Sequence, residues 1–165
     1  MNGIQEVASS ILVSSTTEDP LMFKLVSAAG YVLMAGALVG LLATNSLFSP
    51  APPAIIVQAG AAALMIWARL TFGRRSFHAT ADPTAGGLVT TGPYRYIRHP
   101  IYTSACLFGW AGAIAHFSWP AMGLALLLLA GAIIRVITEE RLLVERYPEY
   151  RQYAAKTKRV IPGIF

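Results

Sequence analysis

The chain has 165 residues, 55% of them hydrophobic and 13% charged, with 13 Lys and Arg against 8 Asp and Glu for a formal net charge of +5. An average soluble domain carries about 25% charged residues, so the composition points to lipid contact and argues against an ordinary soluble domain. The basic excess flanks apolar runs, which makes it a membrane-topology signal and argues against a nucleic-acid partner.

Residues 1–24 read as a polar leader. Glu6, Glu18 and Asp19, with no basic start before the short apolar run, do not fit a signal peptide. Residues 25–68 then hold no Asp, Glu, Lys or Arg over 44 positions, room for two helices at about 20 apolar residues per crossing. Spans are expected at 25–43 and 54–70, forming a first hairpin over 25–70, with the turn at Asn45, Ser46, Ser49 and three prolines. Gly36 and Gly40 form a small-residue pair suited to close internal packing. A basic cytoplasmic loop, 71–100, follows. His78 in that loop has no ligand-spaced partner, so no metal site is expected.

Residues 99–134 are a second uncharged block, 36 long. At about 1.5 Å per residue this is roughly 54 Å, barely two crossings of a core about 30 Å thick. The second hairpin is placed over 101–137, with spans at 101–115 and 120–137 and Ser118 as an N-cap. Cys106 is read as a small apolar residue, because one thiol gives neither a disulfide nor a C-x-x-C pattern. His116 falls at the turn, and Trp67, Trp110 and Trp119 are packing or interface residues. Residues 138–165 form a polar, partly helical tail. The expected fold is an all-α membrane protein, a single domain of about four transmembrane helices in two hairpins plus that tail.

Charge sets the expected orientation. Arg69, Arg74, Arg75, Arg95 and Arg98 lie in or beside the middle loop and seven more Lys or Arg run from Arg135 to Arg159, while the turns near Ser46 and Phe117 have none. The positive-inside rule places the loop and both termini in the cytoplasm.

Two polar clusters lie on that side. One is Thr91-Gly-Pro-Tyr-Arg-Tyr-Ile-Arg-His-Pro-Ile-Tyr102, where Gly92-Pro93 makes a turn and Pro100 disfavours helix at His99. The other is Arg135, Glu139 and Glu140. Arg135 and Glu139 share a helix face, whereas Glu140 is turned about 100° away. Interfacial anchoring and a solvated helix end are the plain alternatives for the two. Together they suit a zwitterionic ligand. Neither a nucleophile elbow nor a Gly-rich phosphate loop occurs.

Gly92-Pro93-Tyr94-Arg95-Tyr96-Ile97-Arg98-His99-Pro100-Ile101-Tyr102, then Arg135-x-x-x-Glu139-Glu140-x-x-Leu143, then Tyr147-x-x-Tyr150-x-x-Tyr153 and Thr157-Lys158-Arg159-x-Ile161-Pro162-Gly163 resemble, in order and spacing, the membrane methyltransferases related to isoprenylcysteine carboxyl methyltransferase and the phospholipid methyltransferases. The resemblance covers residues 88–163. It implies S-adenosylmethionine as cofactor and a lipid or hydrophobic acceptor from the bilayer. Gly92, Pro93, Tyr94, Arg98, His99, Pro100, Tyr102, Glu139 and Glu140 would form the cofactor site, and Arg135 and Glu140 would be the catalytic pair at its junction with the acceptor. Other readings are an NADPH-dependent enzyme like the sterol reductases, which share an Arg-His-Pro segment, and a non-catalytic membrane scaffold. Oligomeric state stays open.

Overall fold

The computed structural model describes residues 20–73 and 87–160, and within them the chain is all α. Residues 1–19 of the polar leader, residues 74–86 of the basic loop with His78, and the Ile161-Pro162-Gly163 end of the last motif lie outside the described residues, while residues 20–24 of the leader already belong to the first helix. Helix α1 spans Pro20–Ala43, α2 Pro52–Phe72, α3 Pro100–His116, α4 Trp119–Arg146 and α5 Tyr150–Lys156, with a single 3-10 turn at Gly92–Arg95. Proline begins each break. Pro52, Pro93, Pro100 and Pro120 occupy the first helical positions, where a missing N–H costs nothing.

Among the described residues three helices are long and apolar enough to cross a membrane: α1, α2 and α4. The chain is accordingly a multi-pass membrane protein. Against the expectation of about four spans, α3 has only 17 residues, about 26 Å of helix. Its length is set at both ends: Pro100 fixes the start, and Phe117 at φ 29° breaks the helix before Ser118, whose hydroxyl accepts from the Ala121 N–H and begins α4. The polar tail expected from 138 is helical from its start. Nothing from Thr138 to Arg146 interrupts helix, so α4 continues for 28 residues until Tyr147-Pro148 ends it. At about 42 Å, α4 outruns a hydrocarbon core of about 30 Å by two turns, and those turns carry Glu139 and Glu140.

Helix α4 lies along α1, α2 along α3, and α3 also meets α4. The α1–α4 contact is close because Gly30 and Gly131 face each other: a Cβ on Gly131 would sit 2.7 Å from the Gly30 carbonyl oxygen. Packing of Met34 and Ala37 on Leu128 and Ala132 continues the seam, with Tyr102 and Cys106 against it. Gly40 meets Leu124 across the same seam, whereas Gly36 faces open space. At the other end, buried Gln58 donates from Nε2 to the Leu47 and Phe108 carbonyls at 2.6 and 3.3 Å, tying the α1–α2 turn to α3. Val32, Ile56, Ile66 and Leu70 point outward, exposed, as lipid-facing residues do.

Gly131→Ala is expected to push α1 from α4 and lower unfolding stability in detergent by about 1–3 kcal/mol. Gly36→Ala, at an open position, is expected to raise it by about 0.5–1 kcal/mol. Equal effects in thermal melts would contradict this packing.

Candidate functional site

The site is assembled where the segment before α3 meets the tail. Gly92, at φ 58°, starts the 3-10 turn, and a Cβ there would lie 2.5 Å from Thr71 Oγ1, so glycine lets the turn sit against the end of α2. Phe72 and Tyr94 then pack ring to ring at 5.5 Å. Beyond the turn, Ile97 and Lys158 form a parallel bridge. The Arg98 and His99 N–H groups donate to the Lys158 and Arg159 carbonyls at 2.7 and 3.0 Å. Thr103 Oγ1 lies 3.0 Å from both the His99 and Val160 carbonyls and closes the joint. Two motifs that are distant in sequence thus share one backbone pairing.

The carboxylates of α4 are the centre of the cluster. Glu139 takes Arg135 Nη2 at 2.6 Å, the i, i+4 pairing that the spacing predicts, and also accepts from the Tyr102 hydroxyl. Glu140, on the next face, takes Arg98 Nε at 2.8 Å and Arg159 Nε at 2.9 Å. The buried His99 ring lies between them, Nε2 3.3 Å from Glu140 and Nδ1 3.7 Å from Glu139. Arg98 also donates from Nη1 to the Ala154 and Thr157 carbonyls at 2.8 and 2.5 Å, so it fastens the end of α5 to the same carboxylate.

Arg135 is 3% exposed, deep enough for its charge to need fixed partners. Nε donates to the Tyr102 hydroxyl at 2.9 Å and Nη1 to Ser27 Oγ at 2.6 Å, while the Tyr31 and Tyr102 rings lie 5.9 and 5.7 Å from the guanidinium carbon. The Gly30–Gly131 approach explains the reach, since Ser27 and Arg135 each lie about one turn from that crossing.

Of the residues expected at the site, the structure gathers Arg98, His99, Tyr102, Arg135, Glu139 and Glu140 into one network. Tyr94 adjoins it, with its carbonyl accepting from the Tyr153 hydroxyl at 2.6 Å. Gly92, Pro93 and Pro100 shape the backbone and bring no polar side chain. Sequence reasoning did not single out Ser27, Tyr150, Tyr153 or Arg159 for the site. Ser27 had one signal, a hydroxyl inside an apolar run, but its partner lies on a helix far along the chain.

Two buried hydroxyls, those of Tyr94 and Tyr150, have no hydrogen-bond partner among the described residues. Burial, followed by the charge of Glu139, pushes the Tyr94 phenol above its ordinary range, and burial followed by Glu140 does the same at Tyr150. Burial pushes Tyr153 up to about 12. These phenols therefore stay neutral at physiological pH. Beside Tyr94, a cavity of about 450 Å³ is lined by Thr71, Phe72, Leu88 and Thr91. It holds none of the carboxylate network. Among the described residues no group of three or more His, Cys, Asp and Glu is placed to hold a metal ion.

A family model described as phospholipid methyltransferase matches residues 51–150. The cobalt-zinc-cadmium resistance protein CzcN of Cupriavidus metallidurans is 37% identical over 80 residues, 47% of this chain and 36% of that protein. The nickel-cobalt-cadmium resistance protein NccN of Alcaligenes xylosoxydans xylosoxydans is 38% identical over 82 residues, 47% of this chain and 37% of that protein. The match thus spans little more than a third of the length of these relatives. No solved structure matches the chain.

Glu140→Ala strands Arg98 and Arg159 and is expected to cost about 3 kcal/mol and to release the tail, read as faster proteolysis after residue 146. Ser27→Ala, which removes one partner of Arg135, is expected to cost about 1 kcal/mol and to leave the tail protected. A tail equally resistant to protease in Glu140→Ala would show that the carboxylate does not hold it.

Proposed function

We propose that this chain, which belongs to the phospholipid methyltransferase family, transfers the methyl group of S-adenosylmethionine to a hydrophobic acceptor taken from the bilayer. The observation that carries this reading is the network that joins the Arg98-His99 segment, Glu139 and Glu140 on α4, and the tail into one polar site at a membrane boundary. A scaffold has no need to place three cations and two carboxylates there at the cost of desolvation. Family membership favours methyl transfer over the reductase alternative.

The residues fit such a donor. Tyr94 keeps a buried hydroxyl without a partner among the described residues, and a ligand rich in hydroxyl, amino and carboxylate groups supplies one. Tyr94, Arg98, His99, Tyr102, Glu139 and Glu140 would hold it, Glu139 and Glu140 offering carboxylate oxygens to its cationic groups. When bound, the donor supplies a methyl group on a positively charged sulfur, already activated for displacement.

The chain's own task is then alignment and exclusion of water, which is catalysis by proximity and orientation. Arg135 holds Tyr102 and Glu139 in register through Nε and Nη2, and its charge favours an acceptor carboxylate or phosphate nearby. Glu140, whose oxygens already accept from Arg98 and Arg159, would stabilise the cationic donor rather than act as a base. By the positive-inside rule the lysines and arginines of the loop and tail support a cytoplasmic orientation of this face, and α3 with its flanking residues would make a fourth, thinner crossing. The two relatives are named for cobalt, zinc, cadmium and nickel resistance, which supports reading the methylation as part of a membrane response that helps cells tolerate such metals.

Calorimetric titration of detergent-purified protein with S-adenosylhomocysteine tests this reading. Micromolar binding, with no binding of NADPH, is the expected result. Binding of NADPH and not of S-adenosylhomocysteine would move the chain to the reductase reading, and binding of neither by folded protein would move it to the scaffold.

A further inference from the structure

Tyr150 is the first residue of α5, 2% exposed, and its hydroxyl has no hydrogen-bond partner among the described residues. A buried hydroxyl left unpaired costs free energy, and native proteins leave few of them. Tyr94 has the same property at 5% exposure. The two belong to one place. Both hydroxyls feel the charge of Glu139 and the Tyr153 phenol, the Tyr150 and Tyr153 rings meet at 5.9 Å, and Tyr153 donates to the Tyr94 carbonyl. Their neighbours are already engaged: Arg98 with Glu140 and two tail carbonyls, Glu140 with Arg98 and Arg159. Hydrogen-bonding capacity is therefore left over on the two phenols, inside the wall that the tail closes.

We propose that the Tyr150 hydroxyl, paired with that of Tyr94, is a binding group of the donor site that hydrogen-bonds the polar amino-acid or ribose end of the methyl donor. This rests on the methyl-transfer reading above. The consequence is that α5 recognises ligand as well as covering the site, and because Arg98 ties α5 to Glu140, tail docking and donor binding favour each other. Both phenols stay protonated, so each offers one donor and accepting lone pairs.

Tyr150→Phe removes the hydroxyl alone, and two readouts on detergent-purified protein separate a ligand-binding role from a structural one. The first is S-adenosylhomocysteine affinity by calorimetry, expected to fall about tenfold, which is 1.4 kcal/mol. The second is the melting temperature of the ligand-free protein, expected to be unchanged or higher, since an unpaired buried hydroxyl is lost. Tyr153→Phe, which breaks a bond present in the structure, is the contrast and is expected to melt lower. Unchanged affinity in Tyr150→Phe overturns the proposal while the methyl-transfer reading stands. Reduced affinity with a lowered melting temperature overturns it as well, because the hydroxyl would then support the fold. If the wild-type protein binds no S-adenosylhomocysteine, the methyl-transfer reading falls and this inference with it.

Discussion

Two adjacent carboxylates at the end of a membrane helix are the constraint on which the rest of the structure depends. Glu139 and Glu140 repel each other, point to different faces of α4 and stand where desolvation is costly. Each must find its own cation. Glu139 turns to Arg135 one turn back, while Glu140 turns to Arg98 and Arg159 from the other side of the site. Satisfying them draws together α1 through Ser27, α3 through Tyr102 and His99, and the tail through Arg98 and Arg159. Removing one carboxylate takes the charge partner from a buried guanidinium, Arg98 or Arg135, which is the costly direction for such networks.

The network sits at the end of a helix longer than a membrane core. Helix α4 is about two turns longer than a hydrocarbon core, so its apolar part crosses and its last turns project. A shorter α3 brings the Arg98-His99 segment and Tyr102 to the same level. A water-soluble donor and a lipid-borne acceptor have to meet at such a boundary, and helices, not loops, hold most of the participating side chains there. The short helix α5, outside the long apolar helices, is fixed by Arg98 at its end and by the Ile97–Lys158 bridge.

Much of this was legible in the sequence. Uncharged blocks gave the apolar helices, Ser118 the start of α4, and the i, i+4 spacing the Arg135–Glu139 pair. The two polar clusters were visible because unusual residues stood at both ends of one hairpin. What escaped was either long-range or a matter of helix limits. Pro100 and Phe117 bound α3 close to the short span expected at 101–115, but the absence of any breaker carries α4 past 137. Of the small residues in α1, Gly36 and Gly40 attracted notice by their spacing, yet the backbones of α1 and α4 meet at Gly30 and Gly131, a pairing that no local pattern encodes. Ser27 escaped for the same reason, and Tyr150, though part of the Tyr-rich motif, was not assigned to the site: the importance of each hydroxyl lies in what it meets, or fails to meet, across the fold.

The most direct test follows the methyl group itself. Membrane vesicles containing the protein, supplied with S-adenosylmethionine labelled in its methyl group, are extracted with organic solvent and compared with vesicles holding an equal amount of folded Glu140→Gln. Label in the organic phase that depends on the wild-type protein and falls at least tenfold in the variant is the predicted result. Equal labelling from both, or none above vesicles without the protein, would contradict methyl transfer centred on the Glu139–Glu140 network.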